Sequence, residues 1–210
     1  MLKLNEVRAI VRENVKKYAG VEFYNKYHDD MLIAGGVFSN IANNLPLNDI
    51  DVYFRTTKAR DEFVAKVEPT LKELECDISS KARIKIGHNG FWIDSCNYVC
   101  NDRFIGEGAD IIKTFDFKSG MIYTSLNDDD RKWSYDNQAI AASNSRKLII
   151  NTDPKNVNSG LKMLYRGMKK ISQGFDTEDG FFIFLVILLS KYDDNPELFH
   201  NDYKELKDSY

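Results

Sequence analysis

The sequence is short of the features that would place it in a class on bulk properties. It has three cysteines, Cys76, Cys96 and Cys100. An odd, sparse set excludes a disulfide framework and points to a reducing compartment. Cys96 and Cys100 could share a metal, but no second Cys/His pair stands at a zinc spacing, which favours plain thiols. The three histidines, His28, His88 and His200, are scattered, form no helical ligand motif and are assigned no role. The longest apolar run, Phe181 to Leu189, is far short of the ~20 residues a membrane helix needs. It reads as a buried helix, so no membrane partner is expected. The N-terminal segment "MLKLNEVRAIVRENVKKY" lacks the apolar core of a signal peptide, and the expected location is the cytoplasm. Net charge is −3, which excludes a global basic field; a nucleic-acid partner would have to meet a local patch. There is no internal repeat and no low-complexity segment.

What remains is a composition typical of soluble globular proteins, 43% apolar and 29% charged over 210 residues. That length suits one compact domain or a core with an appended lobe. Apolar periodicity predicts a helix over Leu4 to Tyr18, a short turn near Phe23 to His28, and a strand from Met31 to Ala34. Gly35-Gly36 breaks that strand and "VFSNIANN" reads as a short helix stopping before Pro46. "DIDVYFR" alternates as a strand, and "TKARDEFVAKVEPTLKELE" is an amphipathic helix containing Pro69. "ARIKIGHNGFWID" predicts a hairpin turning at Gly87 to Gly90, and "DIIKTFDFKSGMIYTS" predicts a strand or strand pair interrupted near Ser119-Gly120. "NDDDRKWSYDN" reads as a loop. Helices are expected over Gln138–Arg146, Ser159–Gln173 and Glu178–Tyr192, with a last one in the tail. The fold class is therefore α+β: a core over 1–135, followed by a helical C-terminal lobe over 136–210.

The most informative stretch is "LIAGGVFSNIANNLPLNDIDVYF", Leu32 to Phe54. Residues i and i+2 of a strand point the same way, roughly 6.5–7 Å apart, so Asp49 and Asp51 aim at one spot. Unpaired, they repel and resist burial. A divalent cation resolves the conflict, and magnesium favours one or two carboxylates completed by phosphate oxygens and water. Glycines let a backbone approach a ligand closely, and a helix start offers free N–H groups to an anion. The segment thus proposes a triphosphate on Gly35 and Gly36 and magnesium on Asp49 and Asp51. The plainer alternative is a chance Asp-x-Asp, with Asn48-Asp49 turning into an exposed strand edge.

"GGVFSN…NDIDVYF" resembles the signature of the DNA polymerase beta-like nucleotidyltransferase superfamily, which includes CCA-adding enzymes, poly(A) polymerases, antitoxin-type enzymes and small phage-encoded members. The resemblance covers Leu32 to Phe54. It implies a mixed sheet flanked by helices and transfer of a nucleoside monophosphate from an NTP to a hydroxyl, using two magnesium ions, with manganese as a substitute. Many members carry Ser or Thr directly after the glycines; here Val37 and Phe38 follow, leaving Ser39 or backbone amides to contact phosphate. The family also implies a third carboxylate on a later strand. Asp116, between Phe115 and Phe117, is preferred; Asp94 is the alternative. Asp49, Asp51 and Asp116 are then the expected catalytic and metal residues.

"SGLKMLYRGMKKISQGF" places Lys162, Arg166, Lys169 and Lys170 on a predicted helix where they can share a face. Each alone reads as a solvated helix residue. By resemblance to the helix after the core of tRNA-type members, Arg166, Lys169 and Lys170 become expected phosphate ligands. Lys81, Arg83 and Lys85 alternate along one strand, either as a patch for a nucleic-acid backbone or as the polar side of a half-exposed strand. The function expected is NMP transfer, with an RNA or tRNA 3′ end as the favoured acceptor on resemblance alone. Nucleotidylation of a protein side chain, and a catalytically silent nucleotide- or protein-binding relative, are the alternatives. The abundance of Asn, Lys, Asp and Tyr hints at an AT-rich or phage genome, which would place the protein in a host cytoplasm.

Overall fold

The computed structural model describes residues 3–47, 49–76, 84–87, 90–127, 133–152 and 157–177. The chain opens with α1 (Leu4–Tyr18) and α2 (Val21–Tyr27), then β1 (Met31–Ala34), α3 (Gly36–Ala42), β2 (Ile50–Phe54) and α4 (Thr57–Cys76). The strands β3 (Ile84–Gly87), β4 (Gly90–Ile93) and β5 (Cys96–Val99) follow, then α5 (Gly108–Ile112), β6 (Ile122–Ser125) and β7 (Ser134–Tyr135). Next come α6 (Ala139–Asn144), β8 (Lys147–Leu148), α7 (Val157–Ser172) and β9 (Asp176–Thr177). The predicted helix over Glu178–Tyr192, the apolar run Phe181 to Leu189, the tail, Lys81, Arg83, His88 and His200 lie outside the described residues.

Seven strands form a mixed sheet in the order β3-β4-β5-β2-β1-β6-β7. Among the described residues, its one parallel strand pair is β2 with β5, where Asp51 lies opposite Asn97. β1 runs antiparallel to β2, with Ala34 opposite Asp51. Alternation along β2 divides the sheet's two faces. Ile50, Val52 and Phe54 bury against Val7, Val11 and Val15 of α1, Phe23 of α2 and Phe63 of α4. The opposite face carries Tyr53 with Leu32 and Ala34 of β1, under Ile111 and Ile112 of α5 and Ala139 of α6. Aromatic packing ties the first face together: Phe63 contacts Phe54 at 5.3 Å and Tyr98 at 4.5 Å between ring centroids.

Two expectations are corrected. The stretch around Asp110 to Phe117 is not a strand: it forms α5 and then a loop, with Phe117 bridged only to Ile150. Its apolar alternation has a packing cause, since Phe115 meets Tyr53 at 5.9 Å while Phe117 buries with Leu148 and Met163. Conversely, β5 follows directly on the expected hairpin, beyond its last residue Asp94. The tight Asp94-Ser95 turn, with Asp94 at φ +56°, returns the chain at once into a third strand. Met163 on α7 packs with Phe117 and Leu148, which lays α7 beside this loop.

Candidate active site

Asp51 sits on the β2 face that carries Tyr53. Its Oδ1 accepts a hydrogen bond of 2.7 Å from Asn97 Nδ2 on β5. Its Oδ2 faces Gly35: a Cβ on Gly35 would stand 3.2 Å from that oxygen. Gly35 has φ +95° and its N–H bonds the Ile122 carbonyl. Glycine is required here twice, for the left-handed backbone and for the close approach to the carboxylate. Asp49, just ahead of β2, is exposed.

The Asp51 pKa is raised from its ordinary 3.8 to about 6: burial is the main cause, the Asn97 hydrogen bond opposes it, the Asp49 charge adds to the rise, and the charges of Arg166 and Lys169 oppose it. Tyr53 is likewise pushed well above its ordinary value, first by burial and then by Asp51. A carboxylate that has lost water and faces a second carboxylate is a site short of positive charge. The lack of a Cβ at Gly35 lets Asp51 Oδ2 stand close to the turn, and the hard oxygen donors of Asp49 and Asp51 fit a magnesium ion bound together with phosphate oxygens.

Positive charge reaches this face from α7. Arg166 donates to Asp116 Oδ2, and its charge also acts on Asp51. Lys170 Nζ donates to Asn40 Oδ1 on α3 at 3.1 Å and lies 4.9 Å from the Phe175 ring centroid. A Cβ on Gly36 would be 3.7 Å from that amine. Burial lowers the Lys170 pKa to about 8, with a smaller contribution from the Lys169 charge.

The expected residues are therefore brought together in two linked groups. Asp51 meets Gly35 and Lys170 meets Gly36 at the start of α3, and the charges of Asp49 and Lys169 act on Asp51. Asp116 lies on the loop before β6, held by Arg166. Among the described residues, no three His, Cys, Asp or Glu side chains gather closely enough to hold a metal ion. Ser39 is fully buried, and its hydroxyl has no hydrogen-bond partner. It lies on the α3 side where Asn43 bridges the Ser39 and Ser143 carbonyls. Asp94 points away from Asp51, accepting from Asn14 at 3.5 Å and Tyr18 at 3.3 Å on α1. Lys85 is exposed on β3, 5.3 Å from the Trp92 ring centroid. Asn97 and Asn40 carry no acid or base signal, so sequence reading passed over both.

Solved structures share this fold. A tRNA-processing enzyme in its apo form matches 92% of the chain at TM-score 0.55 and 12% identity, with 48% of its own length covered. The Bacillus stearothermophilus CCA-adding enzyme in complex with CTP matches 85% at TM-score 0.55 and 13% identity, with 42% of its length covered. The Thermotoga maritima CCA-adding enzyme complexed with tRNA matches 90% at TM-score 0.54 and 10% identity, again with 42% of its length covered. The chain thus spans about half the length of these enzymes or less. Among curated proteins, none matches its sequence. The sequence profile of the Gabija anti-defense 2 family matches residues 6–146. The chain, which shares its fold with these solved structures, belongs to the Gabija anti-defense 2 family.

Proposed function

We propose that the chain is a magnesium-dependent nucleotidyltransferase that moves an NMP from an NTP to a hydroxyl. One observation carries this: Asp51, desolvated and repelled by the Asp49 charge, stands against Gly35 of a glycine turn whose next residue, Gly36, lies beside the Lys170 amine. In this reading the triphosphate rests on the Gly35 and Gly36 backbone, with Lys170 and Lys169 supplying positive charge. Asp49 and Asp51 would hold the magnesium. When bound, magnesium offsets the charge of the triphosphate and favours ionisation of the acceptor hydroxyl. The acceptor oxygen bonds to the α-phosphorus, the bond to the β-phosphate oxygen breaks, and pyrophosphate leaves. Arg166 is drawn to the phosphates, which frees Asp116 to join the centre as its third carboxylate. The fold neighbours solved with CTP and with tRNA favour an RNA 3′ end as acceptor.

A second acceptor class has its own support. The family is described by its opposition to a defence system, which favours a protein side chain of that system as the hydroxyl donor. Incubation with each α-labelled NTP, magnesium and either total tRNA or lysate protein separates the two. Label in RNA supports the first acceptor and label in protein the second. If neither is labelled, and the double variant Asp49→Ala, Asp51→Ala retains the anti-defence effect, the enzyme reading fails.

A further inference from the structure

Every carboxylate proposed for the centre was found from its charge, but the side chain that directly restrains Asp51 is neutral. Asn97 stands opposite Asp51 across the parallel β2–β5 pair, so the two side chains leave the sheet on the same face. Its amide donates at 2.7 Å to Asp51 Oδ1. The other oxygen, Oδ2, is thereby turned toward Gly35, where a Cβ would come within 3.2 Å of it. A carboxylate on a strand can rotate about its last bond. Here one oxygen is tied across the sheet and the other stands against the glycine turn.

We propose that Asn97 is a positioning residue: its amide fixes the rotation of the Asp51 carboxylate so that Oδ2 is presented to a divalent cation between β2 and the Gly35-Gly36 turn. The inference rests on the magnesium reading above. It assigns a role to a strand, β5, whose residues do not otherwise enter that reading. The chemistry also explains why an amide suits the position. An ionised carboxylate there could not donate to Asp51 and would add a further negative charge, whereas an apolar side chain would leave Oδ1 without its donor. Groups that orient a metal ligand in this way commonly change metal affinity about 10- to 100-fold when removed.

The test is binding of Mn2+ alone to the full chain, followed by electron paramagnetic resonance of the free ion, for wild type, Asp51→Asn, Asn97→Leu and Asn97→Asp. Leu matches the size of Asn and removes the donor. Asn97→Leu should bind Mn2+ about tenfold or more weakly than wild type. Asn97→Asp also lacks the donor but adds a ligand charge, so it should bind more tightly than Asn97→Leu and give a bound-ion spectrum different from wild type. Wild-type affinity in Asn97→Leu, with binding lost in Asp51→Asn, would overturn the role of Asn97 while leaving the magnesium site standing. Wild type binding no Mn2+, or binding it equally in Asp51→Asn, would overturn both. Should Asn97→Leu not fold, a wild-type affinity and spectrum in Asn97→Asp would overturn the proposal by itself.

Discussion

Replacing Asp51 with Asn should make the protein more stable at neutral pH while removing its activity. Asp51 binds its proton more tightly in the folded chain, with a pKa near 6 against 3.8 ordinarily, because burial strips water from the charged form. Between those two values the folded state carries more protons than the unfolded one. The unfolding free energy therefore falls as pH rises through that window and levels off above it. At ~1.4 kcal/mol per pH unit, the penalty at pH 7 is about 3 kcal/mol. Asparagine keeps the shape, and its oxygen can still accept from Asn97, so most of that penalty should vanish. In urea unfolding at pH 7 without divalent ions, the Asp51→Asn midpoint should rise by about 1 M. The gain should shrink toward pH 4, where the wild-type carboxyl is protonated. Magnesium should stabilise wild type and leave the variant unchanged. A variant equal to or less stable than wild type at pH 7, with wild-type stability flat between pH 4 and 6, would refute the claim that Asp51 is a desolvated, charge-deficient carboxylate.

Three further outcomes are expected. Gly90→Ala should cost about 3 kcal/mol or more in thermal or urea unfolding, since φ is +152° and a Cβ would lie 1.9 Å from the Tyr98 carbonyl oxygen; a loss under about 1 kcal/mol would contradict the β4–β5 packing. Lys170 has a pKa near 8 against an ordinary 10.5, so NTP affinity measured by calorimetry should decline as pH passes through 8, and Lys170→Met should bind about tenfold more weakly with that decline absent. The same displacement makes the folded chain gain stability between pH 8 and 10.5, because the unfolded lysine holds its proton longer. A double-mutant cycle of Arg166→Gln and Asp116→Asn should give a stability coupling below about 1 kcal/mol, because Arg166 is half exposed; a coupling above about 2 kcal/mol would mark the pair as a structural staple and not a pair that opens for substrate.

The segment Leu32 to Phe54 was the most legible part of the chain. Its periods are unambiguous: a four-residue apolar strand, a Gly-Gly break, a short helix and an alternating strand. α1 also appears with the expected limits, because its valine stripe faces one core. The loop holding Asp116 was misread for a physical reason. Phe115 and Phe117 are apolar neighbours of an aspartate in a strand-like pattern, but they pack in two different places, on Tyr53 and beside Met163. β5 was missed because four residues after a tight turn offer too few positions to show a period. With it went Asn97, whose part depends on the register of a parallel pair that no local pattern encodes. The burial of Ser39 on α3 is likewise a matter of packing that its spacing from the glycines does not encode.

Asp51 is proposed to belong to a centre that transfers nucleotides. The most direct measurement of that role is pyrophosphate release from NTP, with magnesium and acceptor present, by wild type and by Asp51→Asn at pH 7. Wild type should release pyrophosphate in step with label entering the acceptor. Asp51→Asn, although folded and more stable, should be slower by about a thousandfold or more, equivalent to about 4 kcal/mol of barrier. Equal rates in the two proteins would contradict the account.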